Sequence, residues 1–324
     1  MKYRVLGRTG VQVSQLCFGT MSFGGDADEA ASARMFRACR EAGINYFDTA
    51  DQYNKGRGEE ILGGLMRGER DELIVATKCF NPMGSDINAR GGSRRHITRA
   101  LEASLKRLQT DRVEVLFLHQ YDPLTPAEES MRALEDLVRS GKVLYPAVSN
   151  YAAWQTQQAL DIQRERGWAP LQVTQPMYNL VKRQAEVEIL PQAAANGLGV
   201  TPYSPAGGGL LSGKYASKKE NQGRLATNKM YESRYGEPWM HEVAAAFAEF
   251  CRKRGVHPMS MALAWVGSHP AVTAPIIGAR NIEQLQPSLD SVKIDMTPEL
   301  RAEISALSRT PAPATDRLEE IKSR

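Results

Sequence analysis

Three apolar runs in this chain each end on a group that can hold or move a proton. Asp48 closes "INYFDTA", Lys78 closes "LIVATK", His119 closes "VEVLFLH", and Tyr53 follows five positions after Asp48. An unperturbed Tyr ionises near pH ~10 and is a poor acid at neutrality. A nearby ammonium favours the phenolate, so Lys78 is expected to lower the Tyr53 pKa, while a carboxylate such as Asp48 keeps the ammonium charged and fixed. The working end of that relay would be the Tyr53 hydroxyl, with a neutral His119 beside it to orient a carbonyl oxygen. No activated Ser or Cys accompanies the set, so acyl transfer does not suit it and carbonyl reduction does, given a source of hydride.

Taken singly, each residue has a plainer reading: a solvated loop Lys, a turn-forming Asp, a satisfied core His, a packing Tyr. A Lys and an Asp desolvated together must pair to avoid a severe penalty, and a convergence of all four is harder to explain by packing alone. The elements must therefore bring the ends of successive strands to one place. Eight strand-like runs, "SQLCFG", "INYFDTA", "LIVATK", "VEVLFLH", "VLYPAVS", "LQVTQ", "GVTPYS" and "TAPIIG", alternate with amphipathic helical segments. Ser93 and Thr125 stand at expected N-caps, and Gly43, Gly141 and Gly197 at expected helix stops. Continuous apolar strands covered by helices suit a parallel sheet. Eight βα units in this length predict a single (β/α)8 TIM barrel over residues 1–308, preceded by a β-hairpin turning at Thr9-Gly10 and followed by a polar tail, 309–324. The competing open doubly wound sheet should carry GxGxxG after its first strand, and "LCFGTMSFGGD" does not supply it. In the barrel all strands open on one mouth, which places Asp48, Lys78 and His119 there on neighbouring strands.

The 324 residues are 42% hydrophobic and 24% charged, with a net charge of +4 spread among interleaved acids and bases. That balance calls for neither a nucleic acid nor a membrane partner. Four scattered cysteines and no His at zinc-finger spacing suggest neither disulfides nor a metal site. With no apolar leader and no run of 18 apolar residues, a cytoplasmic protein is expected.

"FDTADQY", "ATK" and "LFLH", in this order and spacing, resemble the aldo-keto reductase superfamily, in particular its bacterial branch related to the voltage-gated potassium channel beta subunits. The resemblance runs from "LGRTGVQVSQLCFGT" to "PIIGARNIEQL". It implies a (β/α)8 barrel, an Asp-Tyr-Lys-His tetrad at Asp48, Tyr53, Lys78 and His119, and NADPH held without a Rossmann motif. By the same similarity Ser149, Asn150 and Gln175 would hold the nicotinamide carboxamide, with Tyr203 stacked on its ring. Thr20, Met21, Asp48, Ser204, Ala206 and Gly208 would line the same cofactor site. Lys214 and Arg224 would clasp the phosphates, and Gly278, Ala279, Arg280 and Gln284 would take the adenosine end. Arg280 is the natural partner of a 2′-phosphate, which favours NADPH over NADH. "GGLLSGK" also fits most of a P-loop, but Tyr215 stands where Ser or Thr should bind magnesium. The chain departs from the family at Pro287 and Ser288, where the loss of two polar contacts and a shortened helix are expected, and at Ala147 in place of Gly.

The partner implied is a small carbonyl substrate, with the protein a monomer or homo-oligomer. Phe80, Met83 and Tyr121 are expected beside the substrate; Arg90, Arg94 and Arg95 can attract an anionic one, although Arg94 and Arg95 suit better the start of a solvated helix. The alternative is a cofactor-loaded regulatory subunit of a membrane or protein partner.

Overall fold

The computed structural model describes residues 1–214 and 229–319. A hairpin of β1 (Tyr3–Val5) and β2 (Gln12–Ser14) comes first, its turn closed by Leu6 N–H donating to the Val11 carbonyl at 2.8 Å. Eight parallel strands follow: β3 (Cys17–Gly19), β4 (Tyr46–Asp48), β5 (Ile74–Cys79), β6 (Val113–Leu118), β7 (Val143–Ser149), β8 (Val173–Gln175), β9 (Gly199–Val200) and β10 (Ile276–Ile277). Their order, β10-β3-β4-β5-β6-β7-β8-β9, is the chain order wrapped into a ring. No ladder joins β9 to β10, but Thr273 N–H reaches the Val200 carbonyl at 2.8 Å and Ile276 N–H the Pro202 carbonyl at 2.9 Å. These bonds close the (β/α)8 barrel at a seam much thinner than the four-pair ladder of β5 with β6.

Side-chain alternation along each strand explains what reaches the lumen. Tyr46 points inward, Phe47 packs outward against Phe36 of helix α1 (Glu29–Glu41) at a ring distance of 4.9 Å, and Asp48 points inward again. On β5, Ala76 faces in and Thr77 out, so Lys78 returns to the lumen. Leu6 and Val13 of the hairpin join Cys17, Tyr46, Val115 and Phe117 in the inner cluster and plug the end of the barrel opposite Asp48. The larger core lies between strands and helices.

Helices α2 (Arg57–Leu65), α3 (Arg94–Leu108), α4 (Ala127–Arg139), α5 (Ala153–Arg166) and α6 (Ile189–Ala195) form much of the outer ring. Ser93 caps α3 through His96 N–H, as expected. Thr125 does not cap α4: Pro126 holds the N-cap position, and the Thr125 hydroxyl instead donates to Asp122 at 2.7 Å. Gly43, Gly141 and Gly197 all take positive φ just beyond helices, as their placement predicts. The helix Ile282–Asp290 continues through Pro287 and is not shortened by it. Near the end of this helix the Ser260 hydroxyl donates to the Pro287 carbonyl at 2.5 Å.

Candidate active site

Asp48, Lys78 and Tyr53 meet at the mouth, brought there by adjacent strands. The register sets Asp48 beside Ala76 and Lys78 beside Phe117, so the two charges sit about one layer above the apolar lumen. Both are buried. The Lys78 ammonium donates to Asp48 Oδ1, to the Thr49 carbonyl at 2.7 Å and to Tyr53 Oη at 3.2 Å, which uses all three of its hydrogens. The other Asp48 oxygen accepts from Gln175 Nε2 at 2.9 Å. Tyr53 opens a short 3-10 turn, Tyr53–Gly56, in which Asn54 and Lys55 take left-handed backbone angles and swing the chain into α2.

Burial would by itself push the Lys78 pKa down, but the charge of Asp48 and the hydrogen bonds to Asp48 and Tyr53 outweigh it and the net shift is upward. Tyr53 departs from expectation. Burial raises its pKa by more than the neighbouring Lys78 lowers it, so the phenol is a weaker acid than a free Tyr and keeps its proton at neutral pH. His119 is pushed down to about 3, first by burial and then by the Lys78 charge, and is therefore a neutral imidazole. The amide nitrogens of Asn81 and Gln52 lie 3.4 and 3.5 Å from its Nδ1. With both as donors, Nδ1 accepts and Nε2 carries the hydrogen. The Tyr53 and His119 rings are 6.2 Å apart, edge to face.

The residues expected around a cofactor line up along the same mouth. Ser149 donates to the Gln175 carbonyl at 2.9 Å, which ties the ends of β7 and β8 together. Asn150, at φ +57°, donates to the His119 carbonyl at 2.9 Å and accepts from Tyr203 Oη at 2.6 Å. Gln175 is engaged with Asp48. Thr20, at the end of β3, is buried, and its hydroxyl bonds to none of the described residues. Met21, next to it, is exposed. Ser204, at φ +54°, presents its carbonyl to Asn179 at 2.9 Å. Ala206 then leads into Gly207, Gly208 and Gly209, all at positive φ, and the Lys214 ammonium lies 3.2 Å from where a Cβ on Gly209 would stand.

Across the seam, the Ala279 carbonyl accepts from Ser22 at 2.6 Å, and a Cβ on Gly278 would lie 3.5 Å from the Gly19 carbonyl. Gln284 accepts from Arg280 N–H at 3.3 Å, while the Arg280 guanidinium sits 3.2 Å from Asp26. Arg224 lies outside the described residues.

Three residues of the site escape the sequence reading. Gln52 and Asn81 address His119 and are neighbours in sequence of Tyr53 and Lys78; asking what could fix the imidazole would have found them. Tyr231 is buried with a ring edge 2.5 Å from where a Gly208 Cβ would stand, and nothing local in "NKMYESRYG" signals it.

A family model described as "Aldo/keto reductase family" matches residues 15–309. An uncharacterized oxidoreductase of Bacillus subtilis (strain 168) is 40% identical over 93% of this chain and 94% of its own. A probable voltage-gated potassium channel subunit beta of Oryza sativa subsp. japonica is 34% identical over 98% of this chain and 99% of its own. The L-glyceraldehyde 3-phosphate reductase of Escherichia coli (strain K12) is 33% identical, covering 90% of this chain and 88% of its own.

Proposed function

This chain belongs to the aldo/keto reductase family, and on that premise we propose that it reduces an aldehyde or ketone to an alcohol, with NADPH as reductant and Tyr53 as proton donor. The observation that carries the proposal is the Lys78 ammonium held between Asp48 and Tyr53 beside a neutral His119. NADPH, when bound, supplies the hydride. The residues present suit it: a buried Thr20 hydroxyl that bonds to none of the described residues, a cradle of three glycines that any Cβ would crowd at Gly208, and a guanidinium at Arg280, beside Asp26, for the 2′-phosphate. The carbonyl oxygen would accept hydrogen bonds from Tyr53 Oη and from the Nε2–H of His119. The raised pKa of Tyr53 keeps the phenol protonated until needed, and as its proton leaves, the phenolate stands 3.2 Å from Lys78. The ammonium thus stabilises Tyr53 most when charge develops there, which is where electrostatic catalysis acts.

The test is Tyr53→Phe. Loss of general acid catalysis should cost about 10²–10⁴-fold in turnover, while NADPH affinity, read by fluorescence titration, stays near that of the wild type. A variant that keeps more than half of wild-type turnover on its best carbonyl removes Tyr53 from the role. The similarity to the rice channel subunit supports a second reading, in which the loaded barrel serves a partner. Capture of an integral membrane protein by the wild type, with turnover negligible on a broad carbonyl panel, would favour it.

A further inference from the structure

The guanidinium suited to a 2′-phosphate already has an anion on it: Arg280 Nε lies 3.2 Å from Asp26 Oδ2. Asp26 follows β3 and Arg280 follows β10, which are neighbours in the ring. The two side chains are 38% and 50% exposed, so a solute can reach the pair. Exposed ion pairs generally contribute little to stability and need no function. What sets this one apart is how firmly both ends are presented.

The loop that carries Asp26 is tied to itself and to its surroundings. Phe23 N–H donates to the Thr20 carbonyl at 2.9 Å, Gly24 N–H to the Ala27 carbonyl at 2.8 Å, and the N–H groups of Gly25 and Ala27 to the Ser22 carbonyl at 3.1 and 2.9 Å. Phe23 and Ala27 are buried beneath it. From the side of Tyr53, Asn54 Nδ2 donates to the Met21 and Phe23 carbonyls at 3.1 and 2.7 Å. From the other side, the Ser22 hydroxyl reaches the Ala279 carbonyl at 2.6 Å, one residue before Arg280. Arg280 is anchored in turn, because its N–H donates to Gln284 Oε1 at 3.3 Å and Asn281 caps the helix Ile282–Asp290 through Gln284 N–H at 3.0 Å. Carboxylate and guanidinium therefore meet at little cost in backbone ordering.

A phosphate monoester carries about two negative charges at neutral pH. To reach Arg280 it must displace Asp26 or bind beside it against like-charge repulsion, which is how a site disfavours one ligand relative to another. The neutral 2′-hydroxyl of NADH meets no such repulsion and can donate to a carboxylate. We propose that Asp26 stands in for the 2′-phosphate on Arg280 and narrows the preference for NADPH over NADH, so that the balance of the two side chains, rather than Arg280 alone, sets cofactor choice. The inference rests on the reductase reading, with Arg280 at the adenosine end of the cofactor, and adds the residue that tunes the choice.

Fluorescence titration with NADP+ and NAD+, which bind without turnover, provides the test. In Asp26→Asn the ratio of the NAD+ Kd to the NADP+ Kd should rise about fivefold at low salt, through tighter binding of NADP+. The gain should shrink in about 0.5 M salt. On an Arg280→Ala background the same change should move the ratio by less than about twofold, because the two residues act as a pair. An unchanged ratio in Asp26→Asn overturns the proposal. Equal weakening of both nucleotides also overturns it, and makes the pair a latch with no say in cofactor choice. A wild type that binds neither nucleotide sinks the cofactor reading itself, whereas binding with an unchanged ratio sinks only the role of Asp26.

Discussion

Lys78 spends every ammonium hydrogen on the protein, and this sets the cost of losing either partner. Lys78→Met leaves Asp48 buried without its cation and should destabilise the fold by about 3–5 kcal/mol. Asp48→Asn with Lys78→Met should cost less than the sum of the two single changes, measured by urea unfolding, because the pair is coupled. A strictly additive double variant would uncouple them. Asp51 makes a second prediction. It is fully buried, and burial, reinforced by the Glu59 charge, raises its pKa from 3.8 to about 7 against the opposing effects of the Gln52 backbone and the charges of Arg107 and Lys78. The folded state therefore holds a proton there that the unfolded chain has released. That contribution to stability is complete below about pH 4 and is lost as pH rises through about 7. Asp51→Asn should remove roughly 3 kcal/mol of the pH dependence of stability between pH 5 and pH 8, read from urea midpoints. The two acids show what sequence conveys at this scale. The pairing of Asp48 with Lys78 is legible because polar groups end apolar runs. The direction of the Tyr53 shift is not, since it depends first on burial, which no local pattern around Tyr53 records.

Helix α2 carries adjacent glycines with opposite surroundings. A Cβ on Gly63 would lie 2.6 Å from the Leu108 backbone at the end of α3, whereas one on Gly64 would meet nothing within 4 Å. Helix propensity alone predicts that Ala stabilises at both positions by up to ~1 kcal/mol. Packing reverses the sign at one: Gly63→Ala should cost about 1–3 kcal/mol by forcing α2 off α3, and Gly64→Ala should stabilise by up to ~1 kcal/mol. Thermal unfolding of the two variants checks the contrast, and equal shifts would deny the close approach. The same glycines explain why α2 is hard to read in "RGEEILGGLMRG". A residue required by a neighbour 45 positions away looks locally like a helix breaker. Strands β5 and β6 are legible for the opposite reason: nearly all of their residues are buried, and the apolar run records it directly.

The barrel as a whole follows from counting alternating units, but where the ring is weakest does not, because β9 and β10 are two residues each and are joined only by bonds beside them. Segments Tyr203–Lys214 and Gly278–Gln284 leave the barrel on the two sides of that seam. A cofactor that touches both would act as a buckle across it. Occupancy would then be recorded as slower hydrogen exchange at the seam: at a ligand concentration of 100 Kd, the amides of Thr273 and Ile276 should gain up to about 100-fold protection if they exchange through an opening that releases the cofactor. Amides within the β5–β6 ladder should gain no more than these. Equal exchange at the seam with and without NADPH would mean that the ring stays shut on its own bonds. Otherwise the thin join makes this barrel a clasp whose rigidity depends on what it carries.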